Sequence, residues 1–215
     1  MNGCVVIGDI VKSQKLADLP AVVRLLKKTL ANVNRAHANE LLGEFVIFGG
    51  DSFEGVMESP RRVCDIYSSI FAALRPAGAS VRFVAATGEI EDLAGGNVLE
   101  MAGRVFSDAA DALAEISTPR RRPKVHFRLR TADRELDATV NTLVLLIDAV
   151  RSRWSDRAWQ VARRWGKAEV GKIAEELGVT HPAVSRLATN NHIDEVMAAE
   201  DRLRQLLERG GGAML

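Results

Sequence analysis

Residues 48–55 read FGGDSFEG, and this stretch holds residues able to do chemistry in the first half of the chain. Two glycines between apolar segments favour a tight turn, so Asp51 is expected at the tip of a hairpin. A second carboxylate, Asp9, ends the apolar run GCVVIGDI. If this run and the hairpin are neighbouring strands, the two carboxylates and the carbonyl of Ile10 form an oxygen-rich site. Such a site suits Mg²⁺ or Mn²⁺.

Groups that could bind phosphate lie beside these carboxylates. Lys12 and Ser13 follow Asp9, and the backbone N–H groups of the turn at Gly49 and Gly50 could donate hydrogen bonds to a phosphate oxygen. Because Mg²⁺ and Mn²⁺ usually bind together with substrate phosphates, a nucleotide with a divalent ion is the predicted ligand. The acidic residues that could add a further metal ligand are Glu54 and Glu89.

Each of these residues also has a purely structural interpretation. Asp9 can cap the segment that follows it, and Asp51 can hydrogen-bond within its own turn. Lys12 and Ser13 can belong to a solvated loop. The residues by themselves leave the structural and the ligand-binding interpretations open.

The second half contains the stretch VGKIAEELGVTHPAVSRLATNN at 170–191, whose spacing predicts a helix-turn-helix. Gly178 permits the left-handed conformation of the turn, and Thr180 is placed to cap the second helix through its side chain. The stretch resembles bacterial helix-turn-helix domains, in which the second helix enters the major groove of DNA. The residues that the resemblance places near DNA are Lys172, Thr180, His181, Ser185, Arg186 and Asn190.

The elements that must position these residues follow from the hydrophobic pattern. Strands are predicted at 3–10, 44–48, 52–57, 80–90 and 124–130, and helices at 19–38, 60–74 and 98–115. The order is βαββαβ, which predicts one antiparallel sheet with helices on one face. The expected fold class is α+β, a ferredoxin-like or palm domain followed by an all-α helix-turn-helix domain.

After residue 135 the periodicity is helical throughout. Helices are predicted at 136–153, 156–165, 169–177, 181–190 and 193–209. The predicted domains are a palm at 1–132, a connecting helix at 133–154, a helix-turn-helix at 155–191, and a last helix with a tail at 192–215. The segment TPRRRP at 118–123 is predicted as a basic loop, and RGGGAML at the end as a tail.

The excess of basic over acidic residues is concentrated in one segment of the chain. Residues 151–191 carry 8 Lys and Arg against 4 Asp and Glu, whereas the whole chain of 215 residues has a net charge of +1. A local basic excess favours an anionic partner such as DNA. Five basic residues in this window, besides Arg186, are candidates for phosphate contacts: Arg157, Arg163, Arg164, Lys167 and Lys172.

Several blocks of the first half resemble known families. DI after an apolar strand, GD in a hairpin and TGEI on a later strand resemble class III nucleotidyl cyclases, and GGDSF resembles the GGDEF hairpin of diguanylate cyclases. Over nearly the whole length, the blocks GDIVKS, GDSFEGV and ATGEI together with the helix-turn-helix resemble the SatD family. This resemblance implies a cyclase-like palm joined to a helix-turn-helix.

The chain departs from the cyclase pattern where a transition state would be stabilised. Class III cyclases carry an Asn and an Arg, four residues apart, on the helix after the TGEI-like strand. One alignment places Ser107 and Asp111 there, and a shifted one places Glu100 and Arg104. Neither supplies the pair, so Arg104 is retained only as a phosphate-binding candidate, and the positive clamp that phosphoryl transfer needs is incomplete.

Three functions are compatible with this pattern. The leading one is a DNA-binding regulator whose palm senses a nucleotide with Mg²⁺ or Mn²⁺ and whose last helix helps to form a homodimer. The second is an enzyme, a divergent nucleotidyl cyclase or nucleotidyl transferase, and the third is an inert dimerisation scaffold. No signal peptide pattern or apolar segment of membrane-spanning length is present, so a cytoplasmic protein without a membrane partner is expected.

Overall fold

The structure is a computed structural model that describes residues 1–92, 95–118 and 124–211. The basic loop predicted at 118–123 and the end of the predicted tail therefore lie largely outside the described residues. The chain divides into two compact units, one formed by Met1–Asn141 with Arg204–Leu215 and the other by Thr142–Leu203. Among the described helices, none has the length and apolar character needed to cross a membrane.

The first unit is built on a mixed sheet. Its strands are β1 (Asn2–Ile10), β2 (Leu41–Phe48), β3 (Ser52–Met57), β4 (Val81–Glu89), the short pair β5 (Glu91–Asp92) and β6 (Met101–Ala102), and β7 (Phe127–Arg130). Over the described residues, five of them form one sheet in the order β2-β3-β1-β4-β7. The first strand therefore lies at the centre, with β3 on one side and β4 on the other.

Three helices of this unit precede the last strand of the sheet. They are α1 (Leu19–Ala36), α2 (Val63–Leu74) and α3 (Arg104–Ser117). The side chain of Asp18 caps α1 by accepting the backbone N–H of Ala21 at 2.9 Å. The predicted start of α3 near residue 98 is wrong, because Gly103 has a φ of +142°, outside helical geometry, and α3 begins only after it.

The last strand corrects the predicted sheet. Strand β7 pairs with β4 in parallel, whereas the other pairs in this sheet are antiparallel. A parallel pair requires a crossover, and α3 provides it between β4 and β7. The sheet is therefore mixed rather than wholly antiparallel.

Helices cover both faces of the sheet, not the single face predicted. On one face, Tyr67 of α2 contacts Phe83 and Phe127, with ring centroids 5.6 and 5.2 Å away. On the other face, strand residues such as Val84 pack in one buried cluster with α3 residues such as Ala109. Alternate side chains of the central strands are buried in these two layers, which explains their continuous apolar sequence.

Both cysteines, Cys4 and Cys64, are buried free thiols. Burial raises the pKa of the Cys4 thiol to about 12. A thiol with such a pKa is almost entirely protonated at neutral pH, so Cys4 has a packing role in β1.

The second unit is helical. It contains α5 (Asp156–Ala162), α6 (Val170–Leu177) and α7 (His181–Asn190), together with parts of α4 (Arg134–Arg151) and α8 (Ile193–Gly211). The rings of Trp154 and Trp159 meet edge to face with centroids 4.9 Å apart, and the indole N–H of Trp154 donates to the carbonyl of Asn191 at 2.8 Å. These aromatic contacts fix the end of α7 against the segment that precedes α5.

Candidate functional site

Asp9 lies at the far end of β1, between Ser52 of β3 and Arg82 of β4. Nε of Arg82 donates to Oδ1 of Asp9 at 2.7 Å, and Nη2 donates to Oδ2 at 2.8 Å. Each side chain is 20% exposed. This is a bidentate, partly buried ion pair that holds both carboxylate oxygens.

This pair bears directly on the predicted metal site. A divalent ion needs carboxylate oxygens that are free to coordinate it, and both oxygens of Asp9 already accept hydrogen bonds from a cation. Among the described residues, no group of three or more His, Cys, Asp and Glu side chains is arranged to hold a metal. The arrangement as it stands does not fit a divalent ion at Asp9, and such an ion would have to displace Arg82.

The glycine turn lies where the sequence predicts it, next to the end of β1. The backbone N–H of Ile10 donates to the carbonyl of Asp51 at 3.1 Å. Gly49 and Gly50 have φ values of 60° and 95°, which favour glycine, and a Cβ at either would have no neighbour within 4 Å. The two glycines are therefore required by backbone conformation, and their surface is open to a ligand.

Lys12 and Ser13 follow directly after β1. Lys12 is exposed and has the left-handed conformation φ 53° and ψ 41°, which is unusual for a residue with a side chain. Its carbonyl accepts the N–H of Lys15 at 2.8 Å, and the carbonyl of Ser13 accepts that of Leu16 at 3.1 Å. This 3-10 turn places Lys12 at the same end of the sheet as Asp9.

The structure places Arg104 and Glu89 at the opposite end of the sheet. Glu89 pairs with Asn2 because β4 runs antiparallel to β1. Arg104 lines a cavity of about 690 Å³ together with Asn2 and Glu89, and its side chain is 91% exposed. Seven residues of strand, roughly 23 Å, separate Asn2 from Asp9. Within one chain, Arg104 is therefore not brought to the Asp9 and Asp51 end.

Glu54 lies on the same sheet face as Asp9, because it is two positions along β3 from Ser52, which pairs with Asp9 of β1. Burial raises the pKa of its carboxyl. The same face carries Ile7 and Val84 of the buried cluster, which accounts for the desolvation. Glu54 thus belongs to the margin of an apolar layer.

The Asp9–Arg82 pair gives a testable prediction. Replacing Arg82 with methionine keeps an unbranched apolar stem but leaves the Asp9 carboxylate without its bidentate partner. We expect the free energy of unfolding to fall by about 1–3 kcal/mol. Urea denaturation followed by far-UV circular dichroism measures it.

A second variant separates the lost pair from lost packing. In Asp9→Asn/Arg82→Met a neutral amide replaces the carboxylate, so no unpaired charge is left in the sheet and part of the loss should be recovered. Strictly additive losses in the double variant would show that the two side chains do not stabilise each other.

In the second unit, α6 and α7 are joined by a tight turn. Gly178 has φ 62° and ψ 40°, and the N–H of Val179 donates to the carbonyl of Ala174 at 2.9 Å. Ile173 and Ala174 of α6 are buried, as are Val184 and Ala188 of α7. Small side chains at two of these four positions let the helices approach closely.

Thr180 occupies the position before α7, but its predicted role as a side-chain cap is wrong. Its side chain accepts no backbone N–H of the helix. Its carbonyl accepts the N–H groups of Ala183 at 3.0 Å and Val184 at 3.2 Å. The hydroxyl of this exposed residue is therefore not used to start the helix.

The side chains predicted to meet DNA lie on α6, on α7 and at the residue before α7. His181, Arg186 and Asn190 of α7 are exposed. Ser185 is half-buried, and its hydroxyl donates to the carbonyl of His181 at 3.4 Å. Lys172 is exposed near the start of α6.

Two of the basic residues predicted to contact phosphate also make contacts within the unit. Nη1 of Arg157 donates to the carbonyl of Leu177 at 2.9 Å, which caps the end of α6. Nε of Arg164 donates to Oε2 of Glu176 at 2.8 Å. These two guanidinium groups help to hold α5 against α6, so part of the basic excess has a structural use.

Comparison with protein families adds one firm result. The family model described as "SatD family" matches residues 4–171. The chain belongs to the SatD family. The SatD match covers the sheet, α4 and α5 but ends at Gly171, so α7 lies beyond it. A comparison of this SatD chain with curated proteins finds no significant match.

Among solved structures, the SatD chain is similar to two described as a bacterial light-regulated adenylyl cyclase. Each is 14% identical with a TM-score of 0.45, over 60% of this chain. The similarity spans 42% and 43% of the two cyclase chains, less than half of their length.

The sequence alone does not identify Arg82 as the partner of Asp9. Arg82 is a lone charged residue near the start of the apolar strand SVRFVAAT, and an isolated charge in such a strand signals a buried ion pair. The proximity of Lys124 and His126 to Arg82 follows from the parallel β7, which the local sequence does not reveal.

Proposed function

We propose that the protein binds double-stranded DNA through α7. The observation that carries this proposal is the geometry of the α6–α7 pair: a left-handed glycine turn, a buried apolar contact and a polar outer surface on the second helix. A helix held in this way can enter the major groove, which is wide enough for one α-helix.

The residues divide into two roles. Arg186, His181 and Asn190 face outward on α7 and are placed to reach base edges. Lys172 and the hydroxyl of Thr180 are placed to contact phosphate, which gives affinity without sequence information. Because α7 carries one Arg and no Lys, base recognition by one copy of the chain depends on few side chains. Two copies bound to two half-sites of the DNA would supply further base contacts.

The test is direct binding of the full chain to DNA. Fluorescence anisotropy with a pool of random-sequence duplexes at several salt concentrations should show an affinity that falls linearly with the logarithm of salt. Selection from the same pool should enrich a sequence bound about 10³-fold or more tightly than the unselected pool. Absence of binding at low salt would refute the proposal.

A second candidate function concerns the first unit, as a sensor of a nucleotide. The observation that favours it is the Ile10–Asp51 hydrogen bond, which holds the open glycine turn beside the end of β1 and the following Lys12. The element order from β1 to β4, βαββαβ, is that of the ferredoxin-like motif and supports this candidate. The alternative to a sensor is an enzyme, a divergent nucleotidyl cyclase or transferase.

Thermal unfolding with Mn²⁺ and each nucleoside triphosphate separates these alternatives. A ligand at 100 times its dissociation constant should stabilise the folded state by about 2.7 kcal/mol. Binding that is lost in Asp9→Asn/Asp51→Asn, without turnover, supports a sensor. Turnover that is lost in the same variant supports an enzyme, and absence of any shift supports a scaffold.

A further inference from the structure

A second, smaller cavity lies on the β7 side of the Asp9–Arg82 pair. Its volume is about 280 Å³. Four of its lining residues carry basic groups: Lys12, Arg82, Lys124 and His126. They come from the segment after β1, from β4 and from the segment before β7, so the fold assembles the cavity from three distant parts of the sequence.

The charge of this cavity favours an anion. None of the lining residues that the structure describes is acidic, and the nearby Asp9 carboxylate is held by Arg82. Lys12 and Lys124 are exposed, with ammonium groups that can turn toward a ligand. Because Asp9 neutralises Arg82, the two lysines give the cavity a net positive charge. The electric field of such charges is stronger at a concave surface than at a flat one.

The environment of His126 is consistent with this charge. Burial lowers the pKa of its imidazole, and the positive charges of Lys124 and Arg82 lower it further. The ring is therefore neutral at pH 7, and it can donate one hydrogen bond and accept another. Because the carbonyl of His126 accepts the N–H of Phe83 at 2.8 Å, the ring is attached to a fixed backbone.

The rest of the lining is apolar or hydroxylic. Val11, Ile116 and Val125 supply apolar surface. The hydroxyls of Ser117 and Thr118 donate to helix carbonyls, to Leu113 at 2.6 Å and to Ala114 at 3.4 Å. Their oxygens are thereby left as acceptors, which suit a ligand with N–H or O–H groups of its own.

We propose that this cavity binds a small phosphorylated organic ligand of the size of a nucleoside monophosphate, without a metal ion. The basic groups hold the phosphate, the apolar surface holds a ring, and the two hydroxyl oxygens accept hydrogen bonds from the base or sugar. A volume of about 280 Å³ is at the lower limit of ligand pockets, so a dinucleotide does not fit. The site goes beyond the proposed DNA binding, and it differs from the predicted metal site in using neither a metal ion nor Asp51, although the two share Lys12.

Isothermal titration of the full chain in excess EDTA tests this proposal. The probes are the four common ribonucleoside monophosphates, adenosine and inorganic phosphate. At least one monophosphate should bind with a dissociation constant below about 1 mM, and adenosine and phosphate should each bind at least about tenfold more weakly.

Charge variants locate the site. Lys12→Gln and Lys124→Gln should each weaken binding about tenfold, since each removes a charge-assisted hydrogen bond. Lys28→Gln, on the exposed surface of α1, is the matched control and should leave binding unchanged. Asp51→Asn should also leave it unchanged, which distinguishes this site from the glycine turn.

A spectroscopic readout is independent of affinity. Bound phosphate would offset the positive charges around His126, so the pKa of that imidazole, followed by NMR and assigned with His126→Gln, should rise on binding. The proposal is overturned if no monophosphate binds, if inorganic phosphate binds as well as every monophosphate, or if the two lysine variants bind as the wild type does. The outcome of this monophosphate-binding test does not depend on whether the protein binds DNA.

Discussion

Replacing Arg186 with alanine should weaken DNA binding by about 1–3 kcal/mol, which is roughly a 5- to 150-fold loss. The residue is exposed, and it is the one Lys or Arg of α7. Removing it should therefore reduce both the affinity for DNA and the preference for one DNA sequence, because no neighbouring cation of α7 can replace it. Anisotropy titrations with the selected duplex and with a scrambled duplex measure both effects.

Two matched variants make the result specific. Arg24→Ala removes an exposed guanidinium from α1 and should not change DNA binding. Lys172→Gln should weaken binding to both duplexes about equally and reduce the salt slope by about 1, because a phosphate contact carries no sequence information. Equal affinity of Arg186→Ala and wild type for both duplexes would rule out α7 as the recognition helix.

The largest effect on stability is expected from Gly8→Ala in the central strand. A Cβ at Gly8 would lie 2.4 Å from the carbonyl oxygen of Arg82 and 2.4 Å from Cζ of Phe53. Relief of the first contact requires β4 to move, and β4 carries the arginine that holds Asp9. We expect the free energy of unfolding to fall by about 3 kcal/mol.

The unfolding measurement must report on the sheet of the first unit rather than on the helical second unit. All three tryptophans lie within Thr142–Leu203, so tryptophan fluorescence reports the second unit, and far-UV circular dichroism is needed for the first. Gly171→Ala is the control, because a Cβ there meets nothing within 4 Å and alanine favours a helix. It should stabilise by about 0.5–1 kcal/mol. If the Gly8→Ala protein is as stable as wild type, β1 and β4 can move apart at little cost in free energy, which contradicts this prediction.

The parts of the fold that the sequence predicts are those fixed by local chemistry. Gly178 marks the turn between α6 and α7 because its backbone must be left-handed, and Gly49 and Gly50 mark the hairpin for the same reason. The apolar runs of the sequence predict β1 and β4 to within a residue or two. Each of these signals is contained in a short segment.

What the sequence does not reveal depends on partners far along the chain. Arg82 meets Asp9 across 73 residues, and only the strand register brings them together. Antiparallel pairing likewise sends Glu89 and the nearby Arg104 to the opposite end of the sheet from Asp9. The sequence therefore shows which charged groups are available, and the register of the strands determines which of these groups come into contact.

The central position of β1 has a consequence for how the protein is made. This strand leaves the ribosome first, yet its partners β3 and β4 begin at Ser52 and Val81. At about 5–20 residues per second, roughly 2–8 s pass between synthesis of Ile10 and of Ser52. During that time an apolar segment has no strand on either edge. The nascent first unit therefore depends on long-range closure and is exposed to aggregation, whereas α6 and α7 can pair as soon as they emerge.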